Sequence, residues 1–185
     1  DTRVLGVPVP FHRTFEEVNL RFYVRRLGPE GWRRGVSFVK EIVPKAAIAH
    51  TARLIYNEPY VALPMRHAID DARVCFGWRL DGRWCELAAD PTGPNEPLAP
   101  GSEAEFIAEH YWGYSNHARG GVEYEVAHPS WRYSPATRAS FECDHVAAIY
   151  GAPWVNALSG QPASAFWADG SAVRVYAGER IGGAN

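Results

Sequence analysis

The stretch EEVNLRFYV, residues 16–24, constrains the fold of this chain more than any other. Val18, Leu20, Phe22 and Val24 alternate with Glu17, Asn19, Arg21 and Tyr23. A period of two marks a half-buried β-strand, because successive side chains leave a strand on opposite faces. The apolar face needs a core. The other face sees either water, the default for an antiparallel sheet, or an enclosed cavity. In a cavity it would line up a carboxylate, an amide, a guanidinium and a phenol. These are specific hydrogen-bonding shapes, and Arg21 in particular offers a planar fork suited to a carboxylate.

The remaining chain reads as strands joined by turns, which its 17 glycines and 14 prolines suit. The pattern predicts a strand at 17–25, a turn over LGPEGWRRG and a strand at 35–41. PKAAIAHTARLIY predicts a helix, with Pro44 in its first turn and a stripe of Ile48, Ala52, Ile55 and Tyr56. NEPY stops it, since the residue before Pro59 is biased away from helix. VCFGWRLDGRWCELA predicts a hairpin turning at Asp81-Gly82, which sets Trp78 opposite Cys85 and turns Cys75 to the other face. A proline-rich loop over 90–101 follows. SEAEFIAEHYWGY opens with a capping box, Ser102 and Glu105. Its predicted helical stripe is Phe106, Ile107, His110, Tyr111 and Tyr114, with Glu109 at the border. GGVEYEVAHP reads as a strand with Val122, Tyr124 and Val126 on one face, and further strands are expected at 136–143 and 171–177. The fold class is α+β, mostly antiparallel β, with 1–185 as a single domain.

Several functions are disfavoured. The net charge of −2 supplies no basic field for nucleic acid or an anionic membrane. No apolar run approaches the roughly 20 residues that span a bilayer, and no signal peptide is visible. Three cysteines argue against a disulfide framework, and the hairpin parity keeps Cys75 and Cys85 apart; a reducing cytoplasm fits. Seven histidines show no HxH or HExxH spacing, and no CxxC occurs, so no metal is expected. Neither GxxxxGK[ST], nor GxGxxG after a strand, nor GxSxG occurs, and no cofactor is expected. Aromatic residues reach 13%; they usually form core, and they also wall small-molecule pockets.

The segments FEEVNLRFYV, RRGVSFV, AHTARLIYNEPYVALPM, GSEAEFIAEHYWGY and VAHPSW, in this order, resemble an uncharacterised bacterial family, domain of unknown function 2071. The resemblance runs from about residue 6 to FWADGSAVRVY. The family carries a further N-terminal segment with its own strand and helix, which this chain lacks. As the chain opens at Asp1 rather than an initiator methionine, it reads as truncated or processed. The family is in turn similar to acetoacetate decarboxylase, a cone-shaped, mostly antiparallel β-barrel with helices packed outside.

That resemblance implies an inward second face for residues 17–23. Arg21 would anchor an anion and be buried and paired, because an unpaired buried guanidinium is costly. Glu17 would be the candidate acid or base, and Asn19, Tyr23 and Tyr60 would hydrogen-bond the ligand. Glu109, His128 and Trp131 join as second-rank site residues from the family-like segments AEHY and HPSW. The decarboxylase pattern places a Schiff-base lysine just after Tyr-Pro, following an Ala/Arg-rich helix. Here Tyr60 follows Pro59, and the only lysines, Lys40 and Lys45, precede that helix. Without the amine there is no imine electron sink, so acetoacetate decarboxylation does not carry over. The expectation is a cytoplasmic protein whose pocket takes a small anionic or carbonyl-bearing molecule, with a homo-oligomer left open. Three readings stand: a lyase or hydrolase without a Schiff base, a non-catalytic binding module, or a structural domain.

Overall fold

The computed structural model describes residues 3–4, 7–8, 15–55, 57–117 and 120–181. After a short antiparallel pairing of Arg3–Val4 with Val7–Pro8 come strands β1 (Val18–Gly28) and β2 (Gly31–Val43) and helix α1 (Ala46–Ile55). Strands β3 (Tyr60–Ala62), β4 (Met65–Ile69), β5 (Val74–Leu80) and β6 (Arg83–Pro91) lead to helix α2 (Glu103–Ala108). Then follow β7 (Trp112–His117), β8 (Gly120–Ala127), β9 (Arg132–Glu142), helix α3 (Val146–Tyr150) and β10 (Phe166–Ala168). Shorter strands lie at Glu96–Pro97, Arg174–Val175 and Glu179–Ile181. The fold is α+β and mostly antiparallel.

The described residues form two compact units, each from separate stretches of chain. The first takes residues from 1–64, 111–126 and 175–185, the second from 65–110 and 127–174.

In the first unit the strand order is β8–β7–β2–β1, with β3 added on β2 and Glu179–Ile181 on β8. The β1–β2 and β7–β8 pairs are antiparallel, whereas β7 and β3 run parallel to β2. The expected alternation holds only at the start of β1: Val18 sits in the core opposite Ile42 and Leu20 is half-buried, but Phe22 is 42% exposed. Glu41, Ile42 and Val43 are consecutive and all buried, so both faces of β2 are covered where it runs into α1. Helix α1 lies against β2 and β3 and buries Ala49; Tyr56, the end of its predicted stripe, falls outside the described residues.

One irregularity shapes this unit. Leu20 pairs with Lys40, yet Arg21 pairs with Phe38, leaving Val39 as an extra residue on β2. Such a bulge bends the strand and shifts which residues share a face.

The second unit is an antiparallel sheet in the order β10–β9–β6–β5–β4, with Glu96–Pro97 on β9. Its hairpin turns at Asp81 and Gly82, whose φ angles of 48° and 81° are the positive pair that a type I′ turn needs. Trp78 pairs with Cys85, as the parity predicts, and all three cysteines are free. Trp78 and Cys85 are fully buried, with Val146, Ile149 and Tyr150 of α3 in the same unit's core.

The predicted helix over 102–114 is cut short. Ser102 Oγ accepts from Glu105 N at 3.1 Å, but Glu105 Oε2 accepts from Gly101 N, one residue before the expected partner. The helix stops at Ala108 because Trp112–His117 pair along β8. Aromatic side chains suit a pleated surface, and here sheet pairing outweighs the helical stripe. The strand expected at 171–177 shrinks to Arg174–Val175. Neither set of pairings closes into a ring among the described residues, and no helix is long and apolar enough to cross a membrane.

Candidate functional site

The first half of β1 answers what its polar face looks at. Asn19 stands directly opposite Glu41 on β2, and Glu41 is opposite Tyr60 on β3. Directly opposed residues project to the same side of a sheet, so an amide, a carboxyl and a phenol form one row across three strands. Glu17 joins two residues before Asn19: Tyr60 Oη donates to Glu17 Oε1 at 2.9 Å. Glu58, two residues before Tyr60, brings a third carboxyl, and Tyr124 of β8 closes on it.

The row runs from exposed to buried. Glu17 and Asn19 keep solvent-facing surface. Protein atoms nevertheless crowd the Glu17 carboxyl, and burial raises its pKa against hydrogen bonds from Tyr60 and Asn19 that lower it. Glu41 and Glu58 are 3% and 6% exposed. Burial, with the neighbouring charges of Glu58 and Glu17, pushes the Glu41 carboxyl up to about 9, against a lowering hydrogen bond from Tyr60. Burial pushes Glu58 up to about 7, with Tyr124 pulling the other way. Burial and the adjacent carboxylates also raise both phenols, Tyr60 and Tyr124.

Among the described residues Glu41 Oε2 has no hydrogen-bond partner, and the Glu58 carboxyl meets Tyr124. Buried polar groups normally find partners, so this Glu41 oxygen marks open hydrogen-bonding capacity inside the cluster. At neutral pH Glu41 holds its proton and can donate. A group near 7, such as Glu58, can both take and return a proton.

Tyr124 reaches Glu58 because of a glycine. Gly113 is its cross-strand partner, and a Cβ at 113 would lie 2.1 Å from Tyr124 Cζ and 2.4 Å from its Oη. The ring therefore lies across the bare backbone of β7. On the other side of β8, Glu123 is buried between Arg26 and Arg33, which oppose each other on β1 and β2. Like charges so placed repel, and Glu123 relieves them; Arg33 also lies over the Trp112 ring at 3.9 Å. This second cluster ties the β1–β2 hairpin to β7 and β8.

The other expected residues fare differently. Arg21 and Tyr23 lie beyond the bulge and are exposed, with the Arg21 guanidinium 5.9 Å from the Tyr23 ring centroid. The expected burial of Arg21 is thus corrected: past Val39 the polar face of β1 meets solvent. Arg21→Ala is accordingly expected to cost under about 0.5 kcal/mol in denaturant melts; a loss above about 2 kcal/mol would restore the buried reading. Glu109, His128 and Trp131 belong to the second unit. Glu109 ends α2, while His128 and Trp131 stack at 4.3 Å, and Trp131 Nε1 donates to Ser171 Oγ at 2.8 Å. That unit also has an open groove of about 480 Å³ lined by Arg73, Thr137, Arg138, Ser140 and Gln161. Asp90 already pairs both of its arginines, at 2.9 Å each. Among the described residues no group of His, Cys, Asp or Glu is arranged to hold a metal ion.

A family model for an uncharacterised conserved protein, domain of unknown function 2071, matches residues 1–172. The chain belongs to this family. A search of curated proteins finds no significant match. Of the residues singled out from the sequence, Glu17, Asn19 and Tyr60 lie together in this cluster, while Glu41, Glu58 and Tyr124 were not singled out. A usable signal for Glu41 was present: with Lys40 it interrupts the largely apolar run VSFVKEIV. Glu58 was hidden in a helix stop, and Tyr124 among the valines of an apolar face.

Proposed function

We propose that the Glu17, Glu41, Glu58, Tyr60 and Tyr124 cluster binds a small carbonyl-bearing organic molecule and moves protons on it, as a lyase or hydrolase without a Schiff base. The observation that carries this reading is Glu41: a nearly inaccessible carboxyl, protonated at neutral pH, with an oxygen that none of the described residues hydrogen-bonds. A neutral acid donates a hydrogen bond to a carbonyl oxygen and stabilises negative charge developing there. Glu58 would take a proton from the carbon next to that carbonyl and return it later. Two carboxyls whose surroundings separate their pKa values supply the acid and the base. Glu17 and Tyr60 would connect this interior to solvent.

Lys40 supports the absence of imine chemistry. It neighbours Glu41 on β2, and adjacent strand residues point to opposite faces. Lys45 lies ahead of α1.

The test is proton exchange. Small 2-oxo and 3-oxo acids, their esters and simple ketones are incubated with the protein in deuterated buffer and followed by proton NMR. At least one should lose its α-proton signal, and Glu41→Gln or Glu58→Gln should slow that loss by about 100-fold or more. Absence of exchange and of any shift in protein signals across the whole panel would sink the reading. The exposure of Arg21 and Tyr23 favours a second, non-catalytic reading, a binding face on β1, which predicts shifted signals without exchange.

A further inference from the structure

Cys85 and Cys143 have no role in the acid cluster, and both lie in the second unit. We infer that they form an oxidation-sensitive pair, which a peroxide closes into an intrachain disulfide. The ladder brings them together. The recorded ladder of β6 and β9 ends with Glu86 opposite Glu142, and one further step of that antiparallel register would set Cys85 opposite Cys143. Opposed residues in an antiparallel pair have Cα atoms about 4.5–5.5 Å apart, inside the window that a disulfide needs. The two thiols are also in hydrogen-bonding contact. Cys75 is excluded by the same geometry, since it pairs with Ala88 and faces the other side of the sheet from Cys85.

The two cysteines are unequal. Cys143 is half-buried, just ahead of α3, whereas Cys85 is 1% exposed beneath Trp78. Burial first, then the neighbouring thiol, pushes Cys85 up to about 12, although the His145 backbone N–H bonds it. Cys143 is therefore the sulfur that meets oxidant. Its thiolate attacks one peroxide oxygen and expels hydroxide, leaving a sulfenic acid. Cys85 sulfur then attacks the Cys143 sulfur, and its proton leaves with the displaced hydroxyl as water. Two thiols and one hydrogen peroxide become one disulfide and two waters.

The bridge would tie β6 to the segment leading into α3, beside Tyr150, whose phenol senses both sulfurs. It would fix the wall formed by Trp78, Phe141 and Tyr150, whose rings follow one another at 6.0 and 6.4 Å.

The experiment treats the whole chain with hydrogen peroxide, blocks the remaining thiols, and maps its peptides without reduction. Most of the protein should carry one Cys85–Cys143 linkage with the loss of two hydrogens. Cys75→Ser should keep that linkage, and Cys143→Ser should abolish it. Should Cys85→Ser fail to fold, Cys143→Ser, at a half-buried position, still decides the matter. Cys143 recovered as sulfinate or as free thiol with no bridged peptide, or a bridge that uses Cys75, would overturn the inference.

Discussion

Glu41→Gln is expected to make this protein more stable at about pH 8, by about 2 kcal/mol, while removing whatever chemistry the cluster performs. Burial raises the carboxyl from an ordinary 4.5 to about 9. Between those values the folded chain holds a proton that the unfolded chain releases. The contribution to stability is full below about pH 4.5 and is lost progressively as pH rises toward 9. At about pH 7 the gap already corresponds to about 3 kcal/mol, at about 1.4 kcal/mol for each pH unit. Glutamine keeps the shape and cannot ionise, so it escapes the loss; a reduced gain allows for imperfect hydrogen bonding of the new amide. Urea melts between about pH 5 and 8.5 should converge at the acid end and separate steadily toward the alkaline end. Parallel curves, or a variant weaker at every pH, would mean that Glu41 is ionised in the folded protein.

The second large effect is Gly113→Ala. The new methyl would fall within 2.1 Å of the Tyr124 ring, so either the ring leaves or the strands part. A loss of about 2–3 kcal/mol is expected, as for other overpacked sites. Tyr124→Ala empties the same space, so the double variant should lose less than the two single losses added, by about 1 kcal/mol or more. Strict additivity would show that the ring does not lie across the glycine. Gly113→Ala has a chemical signature too. Tyr124 lowers the Glu58 pKa through its hydrogen bond, so displacing the ring should move Glu58 further up from about 7, which side-chain carboxyl NMR can follow.

Both variants touch residues that pattern reading passed over, for physical reasons. Period-two alternation located β1 and set Glu17 and Asn19 on one face, while only the resemblance turned that face toward a cavity. The reading failed at Arg21, because alternation says which residues share a face but not how far cover extends along it. Glu41 was lost because Val39 breaks the count along β2. Glu58 was read for its place before Pro59, a local role that is correct and leaves its burial unseen. The Asp81-Gly82 hairpin was legible to the residue, since a two-residue turn fixes register by itself. The α2 region was not. A capping box starts a helix but says nothing about its end, and pairing with β8 depends on chain a dozen residues further on.

The extra residue at Val39 also chooses which functional group enters the interior. From the hairpin tip, β2 sets Trp32, Arg34, Val36 and Phe38 opposite Leu27, Arg25, Tyr23 and Arg21. Unbroken alternation would deliver Lys40 next, opposite Asn19. The skipped residue advances the count, and Glu41 stands there instead. Slide the skip two pairs toward α1, so that Glu41 becomes the extra residue, and the same unaltered spelling would set the Lys40 amine opposite Asn19. An acid interior and an amine interior are then two ladder steps apart, and a displaced bulge, with no residue exchanged, separates them.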